Sequence, residues 1–244
     1  MGNKVSVIIT TCNRSNLLKR AIDSVLNQTY KNIEIIIADD ASTDNTQEII
    51  KEYQSKFNNI IYIKHDKPMG ANVGRNNAIK ASTGEYIAGL DDDDEFTPDR
   101  IEILINNYDD QYSVITTKNI IKSSYGRTIY QKGNEIITLD DILYKNHIGN
   151  QVLVKKQRLY DVGLYDENLT ACQDYDMWVR LIQKFGPAKS LNKYTQVVYA
   201  NHNQNRISNP QSRKKFQGYF NFYKKYKYLM SKEQKKSQLA IIAI

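Results

Sequence analysis

Between Val5 and Asp94 the chain repeats one pattern: a short apolar run, a polar stop, then a segment with helical spacing. Val5 to Ile9 stops at Thr10-Thr11-Cys12-Asn13, Ile33 to Ala38 at Asp39-Asp40, and Tyr86 to Leu90 at Asp91-Asp92-Asp93-Asp94; Ile60 to Ile63 is a further run of the same kind. Ile33 to Ala38 is apolar and β-branched enough to be a strand covered on both faces, as parallel strands are. Behind the first run, Leu17, Leu18, Ala21, Ile22, Val25 and Leu26 fall at helical spacing, with Ser15 as the expected N-cap. A second helix is expected from Asp44, with Gln47 as its capping-box partner and Ile49, Ile50 and Tyr53 on its apolar face. A third follows the glycine-bounded loop Gly70 to Gly74, runs through Ala78 and Ile79, and is expected to stop at Gly84. Thr97-Pro98 opens a fourth, bearing Ile101, Leu104 and Ile105. Strand–helix units in this succession predict an α/β fold built on a mostly parallel, doubly wound sheet.

The second half is less regular. Val152 to Val154 reads as a strand, Tyr175 to Phe185 as an amphipathic helix carrying Trp178, Val179, Leu181 and Ile182, and Gln196 to Tyr199 as a last strand. No repeat and no Gly/Ser/Pro linker interrupts it, so this half is expected to pack on the first sheet as one body.

Charge matters because the chain carries a formal +7, which would suit a nucleic-acid binder. Its location argues otherwise. Residues 211–244 hold nine of the 34 Lys and Arg and one of the 27 acids, so residues 1–210 are left near neutral. No nucleic-acid partner is expected, and any electrostatic partner meets the tail. There Phe216, Tyr219, Phe220, Tyr223, Tyr226 and Met230 recur at helical spacing among lysines. Such a helix can dock on its own domain, grip an acidic polymer or lie on an anionic membrane surface. Cys12 and Cys172 are the only cysteines, and no basic segment followed by a long apolar stretch opens the chain; both point to an intracellular protein without a disulfide framework.

In an open parallel sheet, ligands sit outside the carboxyl ends of the strands, and here those ends are polar. A single aspartate there can be a turn former. Four in a row at the end of a buried strand repel one another and lose hydration, so a cation is expected, and oxygen ligands favour Mg²⁺ or Mn²⁺. Such ions are commonly shared with substrate phosphates. No Gly-x-Gly-x-x-Gly follows the first strand and no Gly-Lys-Ser/Thr occurs, which excludes a nicotinamide dinucleotide fingerprint and a Walker loop. The residues by themselves lead to a metal–nucleotide site on an α/β sheet.

Val5-Ser6-Val7-Ile8-Ile9-Thr10-Thr11-Cys12-Asn13-Arg14, Ala38-Asp39-Asp40-Ala41-Ser42-Thr43-Asp44, Gly74-Arg75-Asn76-Asn77-Ala78 and Leu90-Asp91-Asp92-Asp93-Asp94, in this order and spacing, closely resemble the family 2 glycosyltransferases. The resemblance spans roughly residues 5–208. It implies the A-type glycosyltransferase fold, a nucleotide-sugar donor, usually with UDP, and inversion at the anomeric carbon. It divides the chain into a glycosyltransferase domain over 1–210, with a nucleotide-sugar half (1–115) and an acceptor-side half (116–210), and a helical basic tail over 211–244.

Carried across residue by residue, Thr10, Thr11, Asn13 and Asp39 would line the nucleoside pocket, Asp39 accepting from the base. Arg75 would approach the base or diphosphate. Asp91, Asp92 and Asp93 match the Asp-x-Asp element, with Asp93 as the metal ligand and Asp91 on ribose or sugar. Gln173-Asp174-Tyr175-Asp176 resembles the acceptor-side segment, with glutamine in place of the usual glutamate, and makes Asp174 the catalytic base. Tyr199 to Ser208 resembles a late loop in which His202 joins the metal and Arg206 and Ser208 meet the diphosphate. The implied cofactor is Mn²⁺ or Mg²⁺. The implied partners are a UDP-sugar donor and a glycan or lipid-linked glycan acceptor of a bacterial surface polysaccharide, handled in the cytoplasm at the inner face of the membrane. The rival reading is a non-catalytic nucleotide-fold protein that uses its basic tail on membrane or nucleic acid.

Overall fold

The computed structural model describes residues 2–123, 127–200 and 213–242, with the backbone alone at 213 and 214. In chain order the elements are β1 (Val5–Thr11), α1 (Ser15–Leu26), β2 (Ile33–Asp39), α2 (Thr46–Lys56), β3 (Ile60–Lys64), α3 (Ala71–Ala81), β4 (Tyr86–Asp91), β5 (Glu95–Phe96) and α4 (Arg100–Asn106). Then come β6 (Ile115–Lys122), β7 (Thr128–Tyr130), β8 (Ile136–Ile137), α5 (Leu139–Tyr144), β9 (Leu153–Lys155), α6 (Lys156–Asp161), α7 (Gln173–Phe185), β10 (Ala188–Tyr199), α8 (Arg213–Tyr226) and α9 (Lys232–Ile242).

One sheet runs through both halves in the order β3-β2-β1-β4-β9-β6-β10-β5. β1 to β4 are mutually parallel, as are β6 and β10; β9 runs antiparallel between β4 and β6, and β5 antiparallel on β10. The winding reverses between β2 and β4, on either side of β1. That switch point opens a crevice at the strand ends, where Thr10 pairs with Asp91 and Thr11 with Asp39.

Alternation within the strands sends side chains to two cores. Val5, Val7 and Ile9 of β1 with Ile35 and Ile37 of β2 meet Leu18, Ile22 and Val25 of α1, Ile50 of α2 and Ile101 and Leu104 of α4. Ile8 and Ile36 face the other way, in the cluster that holds Ala78 and Ile79 of α3, Trp178 of α7 and Phe222, Tyr226 and Met230 of the tail.

Three local expectations change. Ser15 is the first residue of α1, not its cap; its hydroxyl donates to Asn45, while the Asp44 carboxylate accepts from the backbone N–H groups of both Ser15 and Thr46 at 3.1 Å. One carboxylate thus satisfies the N-termini of α1 and α2, and α2 begins at Thr46 with Gln47 turned to Lys64 instead of closing a capping box. Gly84 does not stop α3, which ends at Ala81. A Cβ there would lie 2.5 Å from Ser6 Oγ and 2.8 Å from the Lys4 carbonyl, so glycine permits close passage beside Glu34. Burial lifts the Glu34 pKa, but bonds from Lys4, Ser6 and Thr83 outweigh that and hold it at about 2.

The tail folds as two helices against the body. Phe222 stacks on Tyr175 with ring centroids 3.8 Å apart, and Tyr226 and Met230 are buried beside it, each such side chain contributing roughly 1.5–3 kcal/mol of apolar burial. Two buried glutamines of α9 reach α5: Gln234 donates to the Asp140 carbonyl at 2.9 Å, and Gln238 to those of Leu143 and Tyr144 at 2.9 and 2.8 Å. The last two are carbonyls that the short α5 leaves open at its end. Of the aromatic stripe, Tyr226 and Met230 face the core, and Phe216 and Phe220 remain exposed.

Candidate active site

A cavity of about 1070 Å³ lies at the switch point. The polar strand ends form one wall, the N-terminus of α7 and one face of α8 the other. Among the predicted site residues, Thr10, Thr11, Asn13, Arg75, Asp91, Asp92, Asp93 and Asp174 all line it. His202, Arg206 and Ser208 lie outside the described residues.

The acidic run is the densest feature. Asp91, Asp93 and Asp94 each offer one carboxylate oxygen, and these lie within 4.8 Å of one another. At an effective dielectric near 20, two charges at that separation repel by roughly 3–4 kcal/mol, so the trio requires positive charge around it. Part comes from the protein. Arg14 Nη1 stands 3.0 Å from Asp92 Oδ1 and 3.5 Å from Asp93 Oδ2, and Arg75 Nη2 stands 3.5 Å from Asp91 Oδ1. The all-oxygen donor set fits Mg²⁺ or Mn²⁺. Asp92 points to the strand side: it accepts from Thr11 Oγ1 at 2.7 Å, and burial, only partly offset by Arg14, pushes its pKa up to about 6. The sequence reading singled out Asp93 for the metal; the trio adds Asp91 and Asp94.

Asp39 is corrected by one residue. It is fully buried behind the wall, one oxygen accepting from Tyr62 Oη at 2.7 Å and the other from Ser42 N at 2.9 Å. The carboxylate that lines the cavity is Asp40. It is fixed by Met69 N at 2.6 Å, Gly70 N at 2.9 Å and His65 Nδ1 at 3.0 Å. Burial raises its pKa, and these bonds more than reverse that, leaving it below the usual range. Asn77 Nδ2 sits 3.1 Å from His65 Nε2, which assigns the ring proton to Nδ1 and points it at Asp40. Asn13, with a left-handed φ of 54°, accepts from Thr43 N at 2.8 Å and so ties the β1 loop to the β2 loop.

On the other wall, α7 begins at Gln173, with Cys172 at its N-cap in the left-handed region (φ 61°) and no side-chain cap bond. Asp174 therefore does not cap the helix; it lines the cavity. Burial lifts its carboxyl, the Arg75 guanidinium pulls it down and Asp91 lifts it again, to about 7. A carboxylate poised there can take a proton at neutral pH. Asp176, two residues on, is buried elsewhere, its oxygens held by Lys225 at 2.6 Å, Tyr226 Oη at 2.7 Å and Arg180 at 2.8 Å.

Sequence reasoning missed several lining residues. Asn150 donates to Asp91 Oδ2 at 2.5 Å, from a loop whose Gly149 carbonyl accepts from Trp178 Nε1 at 2.9 Å. Lys215 and Tyr219 of α8 also line the cavity. None belongs to a recognisable local motif, and only the tertiary fold brings them there.

The comparisons with known proteins agree with this geometry. The family described as Glycosyl transferase family 2 matches residues 6–169. The chain is 36% identical to WcaA of Escherichia coli (strain K12), a glycosyl transferase assigned to colanic acid biosynthesis, over 96% of this chain and 85% of that one. It is 30% identical to the GalNAc(5)-diNAcBac-PP-undecaprenol beta-1,3-glucosyltransferase of Campylobacter jejuni over 74% of this chain and 60% of that one. Among solved structures, S. aureus TarS 1-349 in complex with UDP-GlcNAc has a TM-score of 0.71 at 20% identity, covering 98% of this chain and 70% of that one. The mannosyltransferase PcManGT from Pyrobaculum calidifontis, in complex with GDP-Man and Mn2+, has a TM-score of 0.69 at 15% identity, covering 100% and 75%. The structural likenesses show the A-type glycosyltransferase fold. The non-catalytic reading falls away: the chain is a glycosyltransferase, and it belongs to glycosyl transferase family 2.

Proposed function

We propose that this glycosyltransferase moves a hexose or N-acetylhexosamine from a UDP-sugar to a growing bacterial surface glycan, with inversion at the anomeric carbon and with Mn²⁺ or Mg²⁺ as cofactor. The observation that carries the reading is one cavity with an oxygen trio, Asp91, Asp93 and Asp94, and a second, separately placed carboxylate, Asp174, tuned toward neutrality. The UDP-GlcNAc bound by TarS favours a uridine donor, and the colanic acid biosynthesis named for WcaA and the PP-undecaprenol-linked glycan named for the Campylobacter relative favour that acceptor class.

The residues divide the work. Asp91, Asp93 and Asp94 would hold the divalent ion, and Asp40, which lines the cavity, would accept from the nucleobase in the role expected of Asp39. Arg75, kept charged against its burial by Asp174 and Asp91, would stand between the donor and the catalytic carboxylate. Asp174 takes the proton from the acceptor hydroxyl as that oxygen attacks the anomeric carbon from the face opposite the departing UDP. When bound, the ion neutralises the diphosphate and eases its departure.

Calorimetry of UDP tests the donor reading. Affinity is expected to rise at least ~10-fold from EDTA to Mn²⁺, and Asp93→Ala is expected to lose that gain. Equal affinity with and without metal in the wild type would refute the metal-dependent reading.

No helix among the described residues is long and apolar enough to cross a membrane. A peripheral position at the inner face of the cytoplasmic membrane is supported by the exposed side of α8. Phe216 and Phe220 stand 52% and 39% exposed with their rings stacked at 6.2 Å, and Lys224 lies 5.6 Å from the Phe220 ring. Sedimentation with phosphatidylglycerol vesicles is expected at low salt, to weaken at high salt, and to be lost in a Phe216→Ala/Phe220→Ala double variant. Undiminished sedimentation of that variant would reject the aromatic contact.

A further inference from the structure

The tail is not a separate appendage but a wall of the active site. Lys215, Gly218, Tyr219 and Phe222 lie at i, i+3, i+4 and i+7, on one face of α8. Phe222 anchors that face on Tyr175, the residue after Asp174. Gly218 sets the closeness: a Cβ there would fall 2.5 Å from the Ala171 Cβ and 2.9 Å from its carbonyl carbon, so any larger residue would push α8 off the turn that leads into α7. A glycine inside a helix costs about 1 kcal/mol against alanine, and here it lets the helix approach. The result is that Lys215 and Tyr219 share the cavity with Ala171, Cys172 and Asp174, across from the strand ends.

Lys215 has a distinct electrostatic setting. Arg14 and Arg75, the other described cations lining the cavity, are paired with the acidic run. Lys215 is half-buried and forms no ion pair or hydrogen bond among the described residues, and its positive charge acts on the Cys172 thiol. Tyr219 is likewise half-buried, and burial beside Cys172 raises its hydroxyl pKa. A half-buried ammonium without a counter-ion among the described residues, one helical turn from an aromatic ring, is suited to a sugar that bears an acidic group. The ring takes the apolar C–H face, and the ammonium takes the anion.

We infer that Lys215 and Tyr219 form an acceptor subsite selective for a glycan carrying an acidic group, a carboxylate or a phosphate, on or next to the sugar that receives the transferred residue. This rests on the assignment of Asp174 as the base, which makes this wall the acceptor side. It gives α8 two faces with related tasks: Phe216 and Phe220 outward, Lys215 and Tyr219 inward.

Saturation-transfer NMR on the full chain holding UDP and Mg²⁺ tests it, with methyl glucoside, methyl glucuronide and glucose 6-phosphate as probes. At least one anionic probe is expected to bind ~5-fold or more tightly than the neutral one, and the tighter of the two identifies carboxylate or phosphate as the preferred anion. Lys215→Ala should erase the anionic preference and leave methyl glucoside unchanged, Lys215→Arg should retain it, and Tyr219→Ala should weaken all three probes. UDP affinity, measured by calorimetry, should stay within about twofold in each variant. Equal binding of all probes to the wild type would overturn the inference. So would a parallel loss of UDP affinity in Lys215→Ala, which would move Lys215 to the donor diphosphate. The probes are repeated without UDP: a Lys215-dependent preference seen there, with no UDP binding to the wild type, would sink the donor reading and leave the subsite standing.

Discussion

Asp174→Asn is expected to slow sugar transfer at least ~100-fold while UDP binding and the fold stay intact. Asparagine has the same shape and can occupy the first turn of α7, but it cannot accept the proton of the attacking hydroxyl. The acidic run cannot substitute, because its oxygens are gathered on the opposite wall. The wild-type pH profile should carry the signature. The groups that act on Asp174 are Arg75 from α3 and Asp91 from β4, and burial together with them sets its carboxyl at about 7. Only the ionised form is a base, so kcat/KM should fall about tenfold per pH unit below that value and level off above it, a limb absent from the residual activity of the asparagine variant. Metal at Asp91 would cancel that residue's upward push and move the limb to lower pH.

Stability should move in the opposite sense. An aspartate in the unfolded chain ionises near ~3.9, so between that pH and about 7 the folded protein binds more protons than the unfolded one. The favourable contribution of the half-buried neutral carboxyl is complete below the unfolded value and is lost as pH rises through the folded one. Asp174→Asn should therefore gain melting temperature relative to wild type between pH 4 and pH 8. A constant difference across that range would show that the Asp174 carboxyl is not raised in the folded protein.

Asp176→Ala is expected to lower the melting temperature by roughly 4–8 °C, corresponding to about 2 kcal/mol for a chain of this size. Asp176 is 1% exposed and joins Arg180 on its own helix to Lys225 and Tyr226 of α8. Its removal takes the ion pair from Arg180 and leaves Lys225 with the weaker contact to Asp166 at 3.5 Å. A fully buried pair would cost more, but the Arg180 and Lys225 side chains are 18% and 40% exposed and can recover part of their hydration. Transfer should fall less than ~10-fold, through loosened docking of α8 and not through lost proton transfer. The two aspartates thus separate: Asp174→Asn affects turnover, Asp176→Ala affects melting. Loss of turnover in Asp176→Asn with near-normal turnover in Asp174→Asn would reverse the assignment.

Much of the strand-end wall of the cavity was legible because it is locally encoded. Each strand of the first half is a contiguous apolar run, and the residue that ends it must sit at the sheet edge, so Thr10, Thr11 and Asp91 to Asp94 could be placed from their positions alone. Asp39 shows how fine the limit is. Successive residues at a strand end point to opposite sides, so a displacement of one position separates a carboxylate locked by Tyr62 and Ser42 from one that lines the cavity. The helix starts failed for a related reason. Ser15 and Asp44 have the right chemistry for caps, but Asp44 serves two helices at once, an arrangement fixed by how α1 and α2 lie together.

The sequence by itself determined the parallel α/β frame, the acidic run and the family, because each depends on residue type and short-range order. Tertiary structure alone decided the opposite wall. The antiparallel β9 is three residues long, too short to declare its direction, and Asn150 reaches Asp91 across 59 positions. The aromatic stripe of the tail offered two faces of similar composition. Which one is buried depends on Tyr175, Asp176 and Ala171 being there to receive it, and that contact turns a basic tail into the wall bearing Lys215 and Tyr219.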